Sequence, residues 1–410
     1  MSKRVVVTGL GVVAPNGNNL NDFWASIKAG ECAIAPITKF DSSRLSVKMA
    51  AEVKNFDASL HIDKKDLKRM DLFCQYAVAA SMMAVENASL DTDAIDNERF
   101  GVLIGVGLGG LMTFEKQHQI LLEKGPRRIS PLFIPMMIPN MAAAMVSIMT
   151  GAKGVNECVV TACSSGNNAI GNAFRFIQSG EMDIMICGGA EAAITELALG
   201  GFNNMKAVSF SKDPNRASIP FDKERDGFVM GEGSGILIIE AYDHAVARGA
   251  NIIAEVKGFA STSDAFHMTA PAENGEGGAR SMRHAVEDAG MVPEDIDYIN
   301  AHGTGTPLND KNETAAIRTV FGDHAYKVSV SSTKSMTGHL LGGAGGIEAV
   351  ISCMALQDQF VPATVNYKVA DEECDLDYTV NNGKSKELNN VLSNSLGFGG
   401  HNSTVIFSKV

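Results

Sequence analysis

The sequence predicts an α/β protein in which helices cover sheets of buried strands. Three features lead to this expectation. Short, almost wholly apolar runs recur along the 410 residues, and such runs are typical of strands that are buried on both faces. Stretches with helical periodicity separate these runs, as in α/β architectures. The 41 glycines indicate many tight turns between strands and helices.

The expected elements follow one another from the N-terminus to the C-terminus. Strands are predicted at Arg4–Thr8, Phe100–Val106, Asp183–Cys187, Gly235–Glu240, Ile252–Phe259, Tyr298–Ala301, Val328–Ser331, Leu392–Ser395 and Thr404–Ser408. Helices are predicted between them, among others at Leu72–Asn87, Ala279–Ala289 and Ala344–Leu356. No low-complexity linker divides the chain, and only Arg248-Gly249-Ala250 gives a soft boundary. We therefore divide the sequence into an N-terminal half, residues 1–250, and a C-terminal half, residues 251–410.

Charge and cysteine content argue against several classes of function. The net charge of −12 is unsuited to a surface that binds nucleic acid. The seven cysteines are odd in number and lack C-x-x-C spacing, which disfavours a disulfide framework or a thiolate zinc site and favours a reducing cytoplasm. The most apolar stretch, Met136–Met149, contains Pro139 and is too short to span a bilayer, so we expect no membrane partner.

Two glycine motifs imitate a dinucleotide-binding fingerprint. Gly9-x-Gly11-x-x-Ala14 runs into a loop-like segment where a nucleotide site needs a helix. Gly105-x-Gly107-x-x-Gly110 is the better imitation, because a helix-compatible run follows it. We interpret both motifs as glycines at crowded turns.

Cys163 is the cysteine whose surroundings indicate chemistry. An apolar run ends there, and Ala169, Ile170 and Ala173 then begin a helical stripe. A thiol at a helix N-terminus lies beside free N–H groups and the positive end of the dipole, so we expect its pKa to be lowered. Thr161 stands where an α/β-hydrolase elbow requires glycine, which excludes that class. The other six cysteines are interpreted as packing residues.

Three further segments, rich in glycine, hydroxyl residues and histidine, each follow a predicted strand. They are Asn300–Pro307 with His302, Ser331–Leu340 with His339, and Asn394–Asn402 with a Gly-Phe-Gly-Gly run. Loops at the carboxyl ends of strands in α/β sheets gather into one site. We therefore expect these segments to meet near Cys163.

Together these segments resemble the β-ketoacyl-acyl-carrier-protein synthases of the thiolase superfamily, most closely the synthase II group of bacterial fatty-acid synthesis. The resemblance covers essentially the whole chain and includes Phe221–Phe228, Gly231-Glu232-Gly233, Gly188–Glu191 and Gly125–Arg128. It implies a thiolase-like fold, in which two similar halves form a layered α-β-α-β-α core, and a homodimer. It also implies an acyltransferase that condenses a cysteine-bound acyl chain with malonyl-acyl-carrier protein. That ping-pong reaction releases CO2 and elongates a fatty acid by two carbons.

The resemblance gives each catalytic residue a role. Cys163 accepts the acyl chain, which suits its chemistry because one thioester exchanges for another with little change in free energy. His302 and His339 donate hydrogen bonds to the malonyl thioester carbonyl as negative charge builds on it. Lys334 and Glu348 support the histidines through charge and hydrogen bonding.

Substrate-contacting residues follow from the same resemblance. The main-chain N–H groups of Cys163 and Phe398 stabilise the oxyanion, and Phe398 gates the acyl pocket. The other substrate-binding residues are Thr304 and Thr306 on the phosphopantetheine arm, Leu108 and Ile134 in the apolar acyl pocket, and Gly399 and Gly400 beside Phe398.

The expected partner is the acidic acyl-carrier protein, which delivers substrates on phosphopantetheine; no metal and no permanently bound cofactor are expected. A local basic patch can steer such a partner despite the negative net charge. The candidate carrier-binding residues are Lys64, Lys65, Lys68, Arg69, Arg127, Arg128 and Lys206.

The sequence also bears on four other functions. A ketosynthase of polyketide synthesis stays open, because the sequence separates it poorly from a fatty-acid enzyme. A thiolase needs a second catalytic cysteine in a C-terminal glycine-rich loop, and Cys353 and Cys374 are not in one. A non-catalytic chain-length subunit lacks the nucleophile that Cys163 provides. A cysteine hydrolase uses one histidine as base and fits the pair of histidines with Lys334 badly.

Overall fold

Strands and helices alternate along residues 2–410, which are the residues that a computed structural model describes. The strands are β1 (Val5–Val13), β2 (Ala35–Pro36), β3 (Met49–Ala50), β4 (Phe100–Gly105), β5 (Asn156–Val159), β6 (Ile184–Glu191), β7 (Gly233–Ala241), β8 (Ala254–Ser263), β9 (Tyr298–Asn300), β10 (Ser329–Ser331), β11 (Phe360–Val361), β12 (Lys384–Ser385), β13 (Asn390–Gly397) and β14 (His401–Ser408). The helices are α1 (Leu20–Ala29), α2 (Lys64–Leu67), α3 (Leu72–Asn87), α4 (Leu111–Lys124), α5 (Phe133–Met137), α6 (Met141–Thr150), α7 (Ser165–Gln178), α8 (Glu196–Asn204), α9 (Pro214–Ala217), α10 (Tyr242–Ala247), α11 (Glu276–Asp288), α12 (Pro307–Phe321), α13 (Lys334–Thr337) and α14 (Ala344–Asp358).

The main sheet consists of two groups of five strands with the same topology. Its order is β10-β9-β13-β14-β8-β1-β7-β6-β4-β5, and the antiparallel pair β1–β8 joins the groups. When the five strands of each group are numbered in chain order, both groups have the spatial order 3-2-4-5-1, starting from the outer edge of the sheet. The pairs are also equivalent: the outer three strands of each group are parallel, and the rest pair antiparallel. The two halves are therefore similar in fold, although the sequence shows no repeat.

Helices α7 and α14 lie between the two halves and form the middle layer. They share one core cluster with strands of both halves. Asn167 of α7 also donates from its side chain to the carbonyls of Ser393 and Ser403 in the other half, at 3.1 and 3.3 Å. Helices α3 and α6 cover the outer face of the first half, and α11 and α12 cover that of the second. This is the layered α-β-α-β-α arrangement that was expected.

Two differences from the expected elements concern the first glycine motif and the nucleophile. Strand β1 continues to Val13, so Gly9 and Gly11 lie inside a strand and do not follow one. A Cβ atom at Gly11 would lie 1.9 Å from the Ala80 carbonyl oxygen of α3, so this glycine permits a close strand–helix contact. Strand β5, just before the predicted nucleophile, was not expected, because it is short and half exposed.

The predicted boundary between residues 250 and 251 lies in the segment that joins β7 and α10 to β8. The apolar stretch Met136–Met149 is divided between α5 and α6 near Pro139, and α6 buries Ala142, Ala143 and Val146. Across residues 2–410, no helix combines the length and the apolar composition needed to cross a bilayer.

Candidate active site

The predicted loops meet at one cavity of about 500 Å³. Each loop follows a strand of the main sheet, so the topology of the two halves brings them together. The cavity is lined by Cys163 after β5, His302 after β9, His339 after α13 and Phe398 after β13. The expectation that these segments converge is borne out by the geometry.

Cys163 lies on a tight turn between β5 and α7. The turn is a 3₁₀ helix, Ala162–Ser164, and Ala162 takes φ of +52°, a left-handed conformation that a non-glycine residue seldom adopts. Gly397 packs against this turn: a Cβ atom there would lie 2.7 Å from the Thr161 carbonyl oxygen and 3.2 Å from the Cys163 nitrogen. The absence of a side chain at Gly397 therefore lets the following Phe398 backbone approach the thiol.

The thiol of Cys163 behaves differently from the expectation based on its position before a helix. Burial raises its pKa to about 12, while the Lys334 charge and the Phe398 main-chain N–H act in the opposite direction. The expected lowering of the pKa is therefore wrong for the substrate-free chain. The loss of hydration on burial is the largest cause of the raised pKa, and the resting group is a thiol.

Main-chain contacts fix the two histidine loops. The N–H groups of His302 and Gly303 donate to the two carboxylate oxygens of Glu313, at 2.8 and 2.7 Å. The N–H of His339 donates to the Val229 carbonyl at 2.7 Å. The two imidazole rings are edge to face, with centroids 5.2 Å apart. One ligand atom from each ring and the Cys163 sulfur all lie within 4.8 Å of one another.

Both imidazoles are held in the neutral form. Burial and the Lys334 charge lower the pKa of His302 and of His339 well below the ordinary value. In the described part of the chain, neither ring nitrogen of His339 has a hydrogen-bond partner, although the residue is 2% exposed. A buried polar group without a hydrogen-bond partner costs folding free energy. The N–H donor of the His339 ring is therefore free to bond to a molecule that enters the cavity.

The same three residues are the group that could hold a metal ion within residues 2–410. Two imidazoles and a thiolate are zinc ligands in some enzymes. Here the Lys334 ammonium lies 3.4 Å from Nδ1 of His302. A fixed positive charge at that distance disfavours a cation and favours a developing anion.

Lys334 and Glu348 form a buried ion pair beneath the histidines. Each side chain is 1% exposed, and the ammonium contacts both the Glu348 carboxylate and the His302 ring. Burial raises the pKa of Glu348 to about 7, and the Lys334 charge opposes this. The pair is nearly neutral as a unit, and Lys334 places its positive charge against the imidazole.

Most of the predicted substrate residues lie at the cavity, but Ile134 and Gly399 do not. Thr304, Thr306, Leu108 and Gly400 line it with Phe398, and the two threonine hydroxyls are 2.9 Å apart. Ile134 lies on α5, is 53% exposed and is not part of the cavity wall of this single chain. Gly399 donates its N–H to the Met268 carbonyl at 2.8 Å.

The predicted carrier-binding residues are all exposed. Lys64 and Lys65 lie on α2, Lys68 and Arg69 follow it, and Arg127 and Arg128 lie on the 3₁₀ helix before α5. Lys206 lies at the mouth of the cavity.

Several residues at the site were not expected from the sequence. Glu313 holds the His302 loop, Phe202 packs 6.4 Å from the Phe398 ring, and Leu341 contacts the cluster that includes Cys163. Leu341, which begins the 3₁₀ turn after His339, has φ of +50°, a left-handed conformation that a non-glycine residue seldom adopts. The one available signal was the acid at Glu313, on a helix that begins five residues after His302.

Comparisons with known proteins agree with this geometry. Residues 2–245 match the model of the beta-ketoacyl synthase N-terminal domain, and residues 253–368 match that of the C-terminal domain. The chain is 54% identical to 3-oxoacyl-[acyl-carrier-protein] synthase 2 of Synechocystis sp., covering 99% of this chain and 98% of the relative. It is 51% identical to the synthase 2 of Staphylococcus aureus, covering 100% and 99%.

Solved structures show the same similarity. The ishigamide ketosynthase/chain length factor superposes with a TM-score of 0.94 at 35% identity, covering 100% of both chains. A type II PKS acyl-carrier protein in complex with its ketosynthase gives a TM-score of 0.93 at 36% identity, again covering 100% of both chains. The thiolase-like fold predicted from the sequence is thereby confirmed.

Proposed function

Because the chain belongs to the β-ketoacyl synthase family, we propose that it elongates acyl chains by decarboxylative condensation with malonyl-acyl-carrier protein, with Cys163 as the acyl acceptor. The observation that carries the proposal is the convergence of one thiol and two neutral imidazoles within 4.8 Å in an apolar cavity. Such a set provides a nucleophile and two uncharged hydrogen-bond donors at one point. The relatives named 3-oxoacyl-[acyl-carrier-protein] synthase 2 support this reaction.

In the first half-reaction, Cys163 attacks the carbonyl carbon of the acyl-carrier thioester. Since the resting group is a thiol, its proton must leave, and the neighbouring neutral imidazoles are the nearest bases. The new carbon–sulfur bond forms, and negative charge collects on the carbonyl oxygen. The carrier's carbon–sulfur bond then breaks, and the phosphopantetheine thiolate that leaves takes up the proton from the imidazole. The main-chain N–H groups of Cys163 and Phe398, on adjoining backbones, are our candidates for stabilising that oxyanion.

In the second half-reaction, malonyl thioester loses CO2. The electron pair of the broken carbon–carbon bond forms an enolate, whose oxygen accepts hydrogen bonds from His302 and His339. The Lys334 charge beside His302 strengthens this interaction, and burial makes it stronger than in water. The enolate carbon then attacks the acyl carbonyl on Cys163, and the carbon–sulfur bond breaks to leave a Cys163 thiolate, which takes up a proton from water to return the thiol.

Substrate delivery completes the proposal. We assign Thr304 and Thr306 to the phosphopantetheine arm, and Leu108, Phe398, Gly399 and Gly400 to the acyl chain. The basic residues Lys64, Lys65, Lys68, Arg69, Arg127, Arg128 and Lys206 are our candidates for carrier-protein contacts. A solved neighbour bound to its own acyl-carrier protein supports this choice of partner.

We further propose a homodimer in the cytoplasm. Strand β5 forms an outer edge of the main sheet, and Val160 beside it is 55% exposed. Ile148 on α6 and Ile134 on α5, which precede β5 in the chain, are 70% and 53% exposed. A free strand edge with apolar neighbours is suited to pairing with the same edge of a second copy. Sedimentation velocity tests this, and a monomer at micromolar concentration would contradict it.

Intact mass spectrometry tests the proposed reaction. The protein is mixed with an acyl-acyl-carrier protein and then with malonyl-acyl-carrier protein, and both proteins are weighed. We expect an acyl adduct on the enzyme, followed by a 3-ketoacyl carrier two carbons longer. No adduct with any acyl donor would refute the proposal, and an adduct that yields only free acid would indicate a hydrolase. A preference for polyketide intermediates over simple acyl chains would indicate that the protein is a ketosynthase of polyketide synthesis.

A further inference from the structure

The loop Gly105–Gly110, which imitates a dinucleotide fingerprint, holds an anion that belongs to the protein itself. Three consecutive main-chain N–H groups, from Gly107, Leu108 and Gly109, point at the Glu191 carboxylate at distances of 2.8 to 3.2 Å. Successive N–H groups of this kind form a concave anion site, which in other proteins binds phosphate. Here the carboxylate at the end of β6 fills that site.

The same carboxylate joins this loop to a second one. Oε2 of Glu191 accepts a hydrogen bond from Gly342 N–H at 3.2 Å, in the turn that follows His339. The two loops are in direct contact there, because a Cβ atom at Gly342 would lie 2.2 Å from the Gly107 nitrogen. All hydrogen-bond partners of Glu191 in the described chain are main-chain N–H groups from these two loops.

Each loop contributes one apolar side chain to the cavity wall. Leu108 is among the N–H donors, and Leu341 directly precedes the donor Gly342. Both leucines line the cavity, and Leu341 packs in the cluster that contains Cys163. The position of the carboxylate therefore fixes the spacing of two walls beside the nucleophile.

From these contacts we propose that Glu191 is a positioning residue that sets the acyl-chain preference, by clamping the loops of Leu108 and Leu341 together. Four N–H donors match an ionised carboxylate, because a protonated oxygen would bring its own hydrogen against one of them. Burial raises the pKa of Glu191 to about 7, and the four N–H groups oppose this rise. The inference rests on the proposed acylation of Cys163.

Single-turnover acylation of Cys163 tests the clamp. Hexanoyl-, decanoyl- and tetradecanoyl-acyl-carrier protein are compared as donors for the wild type, Glu191→Gln and Glu240→Gln. Glu240 is a matched control, because it is equally buried on the neighbouring strand β7 but contacts Thr8, His244 and Arg248 instead. We expect Glu191→Gln to flatten the wild-type length preference by about tenfold, which corresponds to about 1.4 kcal/mol. Glu240→Gln should keep the preference within about twofold of the wild type.

Gly107→Ala perturbs the same contact from the other side. Its Cβ atom would lie 2.5 Å from Oε2 of Glu191, so this variant should flatten the preference in the same way, even if Glu191→Gln does not fold. An equal loss of rate for every donor in Glu191→Gln would overturn the proposal. An equal change in Glu240→Gln, or an unchanged preference in folded Gly107→Ala, would overturn it too. If the wild type itself takes up no acyl group, the proposed function fails; if it is acylated and the preference does not move, only the clamp fails.

Discussion

Removing Lys334 should destabilise the fold and slow decarboxylation by separable mechanisms. In Lys334→Met, the Glu348 carboxylate stays 1% exposed without its cation, and its second oxygen already lacks a partner among the described residues. Breaking a buried ion pair by removing one partner typically costs about 3–5 kcal/mol. Lys334→Met combined with Glu348→Gln removes both charges and should recover a large part of that loss. Decarboxylation should stay slow in both variants, because neither has a positive charge beside His302.

Urea unfolding measures the stability of the single and double variants, and release of CO2 from malonyl-acyl-carrier protein measures the reaction. Lys384→Met is the control, because Lys384 pairs with Asp377 on the surface, where the two side chains are 40% and 41% exposed. Such pairs contribute less than about 1 kcal/mol. Additive losses in the double variant would show that Lys334 and Glu348 do not act as a pair. Recovery of decarboxylation together with stability would show that the lysine has only a structural role.

Three further predictions concern the thiol, the imidazoles and the carrier. The rate of alkylation of Cys163 by iodoacetamide should still increase above pH 9, because burial raises the thiol pKa to about 12 and the thiolate fraction grows with pH. A rate that becomes constant below pH 8 would show instead that the thiol pKa is lowered, as its position before a helix predicts. The ring signals of His302 and His339 in NMR spectra should not titrate between pH 6 and 8, because the pKa values of both imidazoles lie well below 6.5. His→Ala variants assign these two signals among those of the nine histidines. A titration near pH 6.5 in either ring would contradict a neutral pair. Lys206→Glu should raise KM for acyl-carrier substrates by about tenfold and leave KM for an acyl-pantetheine within about twofold; an equal effect on both would exclude a contact with the carrier protein.

The sequence predicted the residues at the site better than the forces that act on them. Cys163 was expected because an apolar run ends there and a helical pattern begins, and His302 and His339 were expected because each lies in a glycine-rich polar segment that follows a predicted strand. The direction of the thiol pKa was not predictable in this way. It depends on how completely Phe398 and the neighbouring loops close over Cys163, and that is a property of the assembled cavity.

The pairing of strands that are distant in the chain could likewise not be predicted from the sequence. The matching 3-2-4-5-1 order of the two halves depends on which strands pair, and the strands carry no repeated residues that reveal it. Glu191 and Glu313 look like ordinary acids in the sequence, yet both are fully buried and hold loops through main-chain N–H groups. Ile134 shows the converse case: the family pattern places it in a pocket, but in a single chain it lies on the surface.

The most direct test of the account separates the two half-reactions by residue. Acylation of the enzyme and CO2 release from malonyl-acyl-carrier protein are measured in parallel for Cys163→Ala and His339→Ala, with folding checked by circular dichroism. The account predicts that Cys163→Ala takes up no acyl group but still releases CO2. His339→Ala, which keeps His302 as a base for the thiol proton, should be acylated but release almost no CO2. Loss of both activities in either folded variant, or acylation of Cys163→Ala, would contradict a site in which one thiol carries the chain and the imidazoles stabilise the enolate.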